Sequence, residues 1–215
     1  LSPIPNEHVT HLLLPVPSFS EPGIVKGGRR LKDILKDLPE NLTILGGNLG
    51  ILPYRTGDFL KDEYYLAENA AITAHCALAL AMNALPVVPA RQKALVIGWG
   101  RIGKCLCPML RHKEARVSVA ARKTSDLAMI HALGYGSIPI GDAASETKRF
   151  DVILNTVPVL LFPQIETKPE CIKMELASKP GMTGPNIYDG RGLPGKISPM
   201  KSGELIAKTF IRLSI

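Results

Sequence analysis

The sequence predicts an α/β chain: a doubly wound parallel sheet joined to a second, smaller α/β domain that looks truncated. Three observations carry that expectation. Residues 94–97, Ala-Leu-Val-Ile, suit a buried strand and run straight into Gly98, Gly100 and Gly103, spaced G-x-G-x-x-G, with a helix-compatible stretch from Arg101 to about Arg111 behind them. Strand and helix patterns then alternate toward the carboxyl end, as a parallel sheet requires. Upstream, residues 63–84 hold a helical pattern free of Pro and Gly, which separates the glycine-rich part from a short amino-terminal part.

Taken in order, residues 11–16, His-Leu-Leu-Leu-Pro-Val, read as a short buried strand closed by the Pro15-Val16-Pro17 turn; Ser18, Ser20, Glu21, Pro22 and Gly23 continue as loop. Residues 26–37 set Arg29, Arg30, Lys32 and Lys36 around Leu31, Ile34 and Leu35, an amphipathic helix. Residues 42–45 suit a second strand, ended by Gly46-Gly47, and these elements make the small domain over 1–62. In the long helix, 63–85, Ile72, Cys76 and Leu80 lie on one stripe and Ala71, His75, Ala79 and Met82 on another. A helix apolar over most of its circumference is expected to be buried between two domains. Pro86 and Pro89 stop it and make a linker, Val87-Val88-Pro89-Ala90. The sheet domain, 86–198, continues with strands at 116–121, 137–140, 151–155 and near 171–177, and a helix at 125–133. Residues 199–213 form a last helix with Pro199 in its first turn, expected to pack on the small domain.

Each glycine of the motif has a physical task. Gly98 lets the chain turn off the strand, Gly100 lets a pyrophosphate approach the backbone, and Gly103 lets the helix pack close to the sheet. The diphosphate of a dinucleotide would rest on the turn Gly98-Trp99-Gly100-Arg101-Ile102-Gly103 and the N–H groups at the helix start. This is the arrangement of a Rossmann-type domain; a tight strand–helix turn without a ligand is the plainer alternative. An NAD site places Asp or Glu about 20 residues further on. Here that stretch reads Arg122-Lys123-Thr124-Ser125, and no carboxylate appears before Asp126. Arg122 can fork onto phosphate oxygens, Lys123 adds a point charge, and the two hydroxyls suit a 2′-phosphate. NADP is therefore the expected cofactor, with NAD as second choice and a solvated basic turn as the alternative. Asn155-Thr156-Val157-Pro158 ends a strand at the carboxyl edge, where open sheets bind ligands, and is expected to line the nicotinamide side.

Composition narrows the remaining classes. With 215 residues, 46% of them hydrophobic and 21% charged, the chain can bury a real core. Its net charge of +7 favours anionic ligands, but the charge is spread rather than gathered into a run, and only 5% of residues are aromatic, so nucleic acid is not expected. The nearest candidate for a membrane span, 70–82, is too short and is broken by His75. No secretory signal opens the chain, and Leu1 in place of Met reads as a fragment or a trimmed chain. Cys76, Cys105, Cys107 and Cys171 form no C-x-x-C pattern and read as reduced thiols of a cytoplasmic protein. His8 and His11 lack a third ligand, so no metal is expected. No G-x-S-x-G elbow or Cys–His pair points to hydrolysis.

Several stretches carry a family resemblance: Val96-Ile97-Gly98-Trp99-Gly100-Arg101-Ile102-Gly103, Val119-Ala120-Ala121-Arg122, Leu154-Asn155-Thr156-Val157-Pro158, Leu176-Ala177-Ser178-Lys179-Pro180-Gly181, and Gly192-Leu193-Pro194-Gly195-Lys196 followed by Pro199 and Ser202-Gly203. In order and spacing they resemble the family of the dipicolinate synthase A subunit over most of 63–215, and Leu14-Pro15-Val16-Pro17 resembles its first domain more loosely. The resemblance implies a pyridine-nucleotide oxidoreductase of sporulation that oxidises a dihydrodipicolinate-type intermediate of the lysine pathway to pyridine-2,6-dicarboxylate. It also implies a fold similar to that of D-2-hydroxyacid dehydrogenases and a second, flavoprotein-like partner subunit; an oligomer is expected. Where the family often reads Thr-Ala-Glu-Gly this chain has Thr73-Ala74-His75-Cys76. The ten residues between Gly181 and Gly192 are too few for the helix and strand expected there.

For such a small dicarboxylate substrate the chemistry is loss of a hydride and a proton, with aromatisation as the driving force. The protein then mainly orients two rings, an effect that can recover ~7–11 kcal/mol of barrier. Lys179, between the Leu176-Ala177 strand end and the Pro180-Gly181 turn, is the first choice for pairing with a substrate carboxylate or, if desolvated, for acting as the base. A loop lysine in water is the alternative. His75 is a second catalytic candidate if the long helix passes the cleft, although a lone His on an apolar helix is more often a hydrogen-bonded core residue. Ser18, Ser20 and Arg29 are candidates for anchoring a substrate carboxylate, with surface loop and solvated helix as the plainer readings. Two rival functions remain. A 2-hydroxyacid dehydrogenase would carry Arg where Lys179 stands and a His beyond His131, where this chain has none. An NADP-binding scaffold or sensor would have lost catalysis.

Overall fold

The computed structural model describes residues 8–84 and 91–214, so the expected linker, 86–90, lies outside the described residues. The chain divides into two compact units, Leu1–Glu68 with Gly203–Ile215, and Asn69–Ser202. In the first, β1 (His11–Leu13) is followed by a small antiparallel pair, β2 (Phe19–Glu21) and β3 (Ile24–Val25), then α1 (Leu31–Leu35), β4 (Thr43–Gly46) and β5 (Arg55–Asp58). β1, β4 and β5 form a parallel sheet in that order, over a core of Leu14, Val25, Leu31, Leu42, Ile44 and Leu49. The helix expected over 26–37 is only the five residues of α1. Its would-be first turn is used by the turn after β3, where Gly28 N–H donates to Val25 O at 2.9 Å. β5 went unpredicted because Arg55-Thr56-Gly57-Asp58 has no apolar alternation. It forms on the open edge of β4, and the Asp58 carboxylate fixes its end by accepting from the N–H groups of Asn48, Leu49 and Leu60.

α2 (Glu63–Ala84) matches the expected span, and the division between units falls within it. Its burial does not match. Ala70, Ile72, Thr73, Ala74, Cys76, Ala77 and Ala81 are covered, whereas His75, Ala79 and Met82 are exposed. Much of the apolar character of the second stripe comes from alanine methyls, which lose little by facing water.

The second unit continues with β6 (Lys93–Ile97), α3 (Arg101–His112), β7 (Arg116–Ala121), α4 (Thr124–Ala132), β8 (Gly136–Pro139), α5 (Ala143–Glu146), β9 (Val152–Asn155), β10 (Ile172–Glu175), β11 (Ile187–Asp189), α6 (Leu193–Ile197) and α7 (Pro199–Ser214), the last extending into the first unit. Six strands pair in parallel in the order β11-β10-β9-β6-β7-β8. The direction of winding reverses between β6 and β9, and a crevice opens at their carboxyl ends. Leu95, Ile97 and Ile153 are fully buried on one face under Phe150, Phe162, Ile165 and Met182. β11 corrects the expectation for 182–191: a strand fits there because the chain crosses from β10 to β11 without a helix, pinned by a bridge between Met182 and Phe162.

Among the described residues no helix is long and apolar enough to cross a membrane, and no group of three His, Cys, Asp or Glu side chains is placed to hold a metal. None of the four cysteines is in a disulfide. Burial pushes the Cys107 thiol up to about 12 against the opposing field of Arg111, and Cys171 up to about 11 against that of Lys173; burial also raises Cys76. Cys105 is partly exposed. A thiol reagent at neutral pH should therefore label Cys105 first and reach the other three only after denaturation, which peptide mapping checks.

Candidate functional site

β6 ends at Ile97 between β7 and β9, and the chain leaves it through Gly98, whose φ of +103° suits glycine. Its N–H donates to Ala120 O at 2.9 Å, and a Cβ there would stand 2.5 Å from Thr156 Oγ1 and 2.8 Å from Val157 Cγ2. A Cβ at Gly103 would collide with the carbonyl oxygen of Gly98. Gly100 is different: nothing lies within 4 Å of the place its Cβ would take. The backbone bond from Lys104 N–H to Gly100 O, 2.9 Å, begins α3, so the N–H groups before it have no acceptor within the helix. Together with the positive end of the helix they offer a place for an anion.

A cavity of about 410 Å³ opens at this edge. Gly98, Trp99 and Gly100 line it at the turn; Arg122, Lys123 and Asp126 line it beyond β7; Ile140, Val157, Pro158 and Leu161 make an apolar wall. Arg122 directly follows β7, Lys123 precedes α4, and Thr124 and Ser125 open that helix at the surface. The cavity thus combines an apolar wall with two cations. Asp126 is a carboxylate on the same wall, which the expected spacing had set aside. Trp99, the single tryptophan of the chain, has its ring centroid 6.2 Å from that of Tyr135, which lies under the Arg111 guanidinium at 4.4 Å. Arg101 is exposed and Ile102 half-buried in the first turn of α3.

At the other side of the crevice, Thr156 donates its hydroxyl to Ile97 O at 2.8 Å, closing the turn against β6. Asn155 lies beneath this loop rather than on it. It is fully buried, its Oδ1 accepts from Val157 N–H, and its Nδ2 donates to Val157 O and to both oxygens of Glu175. Glu175, at the end of β10, was missed by sequence reasoning. The alternation Ile172-Lys173-Met174-Glu175 reads as a half-exposed strand, yet all four residues are buried. The Glu175 carboxylate also accepts from the N–H groups of Ala177 at 3.1 Å, Gly181 at 2.7 Å and Met182 at 3.2 Å. Ser178, Lys179 and Pro180 form the exposed tip of the loop so fastened. Beside it, Arg191 forks onto Asp189 at 2.8 and 2.7 Å; these hydrogen bonds hold the Asp189 carboxyl well below the usual carboxylate range.

The remaining candidates lie elsewhere. His75 is exposed on α2 rather than a core residue. Ser18 is fully buried: its hydroxyl donates to Pro15 O at 2.8 Å and accepts from Gly47 N–H at 2.9 Å, so it braces two loops of the first unit. Ser20 and Arg29 are exposed, on β2 and in the turn after β3.

A six-stranded parallel sheet of this order, with a glycine turn and a cavity at its switch point, has the Rossmann-type architecture of dehydrogenases. Comparison with known proteins agrees. The chain is similar to the A subunit of dipicolinate synthase from Bacillus subtilis, 27% identical over 133 residues, which is 57% of this chain and 45% of that protein, so the match spans less than half of the relative. Among solved structures it resembles the same dipicolinate synthase component from Bacillus halodurans (TM-score 0.80, 22% identity, 98% of this chain and 81% of that one) and its counterpart from Bacillus subtilis (0.79, 21%, 98% and 79%). A transhydrogenase from Sinorhizobium meliloti shares the fold at TM-score 0.66 and 14% identity over 96% of this chain and 74% of that one. No family model matches the chain.

The two glycines should respond oppositely to a methyl group. Gly103→Ala, forced against backbone, should lose about 1–3 kcal/mol of stability, whereas Gly100→Ala should melt like the wild type; thermal unfolding of both variants checks this.

Proposed function

We propose that the chain binds NADP(H) at the glycine turn and acts as a pyridine-nucleotide oxidoreductase of the dipicolinate synthase kind, converting a dihydropyridine dicarboxylate to pyridine-2,6-dicarboxylate. The observation that carries the reading is the open space over Gly100 at the start of α3, which lines the same cavity as Arg122 and Lys123. A nicotinamide cofactor would supply the hydride acceptor. The first turn of α3 holds its diphosphate, Arg122 and Lys123 pair with a 2′-phosphate, and the Thr156-Val157-Pro158 backbone lies along its nicotinamide half. Lys179, at the tip of the loop beyond β10, receives a substrate carboxylate. Ring aromatisation drives the reaction, so these residues contribute chiefly by orienting the two rings.

Asp126 supports a second reading for the cofactor, because a carboxylate on this wall can accept from the ribose hydroxyls of NAD. The Bacillus subtilis relative is one subunit of its synthase, which brings a partner subunit into the proposal.

Titration with NADPH and NADH, followed by energy transfer from Trp99, tests the cofactor assignment. NADPH should bind more tightly, Arg122→Asp should weaken it roughly tenfold or more, and Gly100→Ala should weaken both nucleotides without loss of fold. Equal affinities would favour the Asp126 reading. Turnover is checked by NADPH formation from freshly prepared dihydrodipicolinate, with 2-hydroxyacids as the competing substrate class; activity on the latter alone would assign the chain to 2-hydroxyacid oxidation.

A further inference from the structure

We infer that Glu175 is a positioning residue, acting through the loop of Lys179 to set the affinity of the site for a dicarboxylate. This rests on the substrate reading above and names what fixes that site. A carboxylate only 4% exposed is costly unless its oxygens are fully engaged. Every neighbour that engages them here is a donor: the Asn155 amide and the N–H groups of Ala177, Gly181 and Met182. An acceptor-only group satisfies all of them at once; an amide would set its own N–H₂ against one side of the ring of donors. Three of the donors belong to residues 177–182, so the loop is tied down at both ends and projects Ser178-Lys179-Pro180 between them. The fourth lies under Thr156-Val157-Pro158. The two loops are pressed together: a Cβ on Gly181 would stand 2.7 Å from Val157 O and 2.9 Å from Val159 O. The main-chain oxygen of Glu175 also accepts from Gly190 N–H at 2.8 Å, anchoring the turn that carries Arg191. An apolar side chain would close β10 with less desolvation, but it would leave these N–H groups without acceptors and the cation at the tip without a fixed place.

The test compares the wild type, Glu175→Gln, Lys179→Met and the double variant. Each is first saturated with NADPH, monitored through Trp99, and then titrated with pyridine-2,6-dicarboxylate. Glu175→Gln should keep NADPH affinity within about twofold and lose roughly tenfold or more in dicarboxylate affinity, as should Lys179→Met; the double variant should bind no worse than Lys179→Met alone. Hydrogen exchange across 177–182 should quicken in Glu175→Gln and not in Lys179→Met. Wild-type dicarboxylate affinity in Glu175→Gln, or additive losses in the double variant, overturns the inference. Should Glu175→Gln fail to fold, Gly181→Ala, whose methyl would meet the Asn155 amide and the Val157 and Val159 carbonyls and so push the loop off its anchor, should show the same loss of dicarboxylate affinity at saturating NADPH; full affinity in that variant overturns it. A wild type that binds NADPH but no dicarboxylate overturns the substrate reading and this inference with it, whereas wild-type dicarboxylate binding with an unaffected Glu175→Gln overturns the inference alone.

Discussion

The carbonyl oxygen of Gly98 occupies the space that a side chain at position 103 would need. This contact brings the first turn of α3 down onto the end of β6, and the geometry of the crevice follows from it. With the helix start held there, its first N–H groups, which have no acceptor within the helix, gather at the sheet edge, next to the point where the strand order reverses. Gly98 meets the second half of the sheet through Thr156 and Val157, so one turn registers both walls. Gly100, between them, is under no such packing constraint, and its freedom is the reason to look for a ligand.

The second unit carries two groups of charged residues near the carboxyl ends of its strands. Beyond β7 stand Arg122 and Lys123 with Asp126 on the same wall, two cations against one carboxylate. Beyond β10 and β11 stand Lys179, Arg191 and Lys196, with Asp189 held by Arg191. Each of these groups carries more cations than carboxylates, and Ile140, Val157, Pro158 and Leu161 give the cavity beside Arg122 and Lys123 its apolar lining. The net charge of +7 thus has a local meaning that composition alone did not give it.

Sequence reasoning reads the parts of this molecule that obey one local rule at a time. The glycine spacing, the apolar runs of β6 and β9 and the uninterrupted α2 each follow from propensity or periodicity, and each stands where its pattern puts it. The parts that escaped depend on partners distant in sequence. β5 is polar throughout and exists because β4 lends it an edge. The exposed side of α2 was hidden by alanines that score as apolar yet lose little in water. Ser18 looked like a loop hydroxyl and proves to join Pro15 to Gly47, the latter 29 residues from Ser18 itself.

Glu175 is the sharpest case, and its reason is architectural. A doubly wound sheet usually covers its faces with helices, whose backbone groups satisfy themselves. Here the chain passes from β9 to β10 and from β10 to β11 without one. The irregular segments between these strands pair with each other only briefly, at the Phe162–Met182 bridge, and the N–H groups of Ala177, Gly181 and Met182 find their acceptor in a strand side chain. That requirement turns an apparently solvent-facing glutamate inward and gives it two loops to hold. Because the same loops flank the carboxyl edge where ligands enter such sheets, the solution to a backbone hydrogen-bonding problem is also what shapes the site.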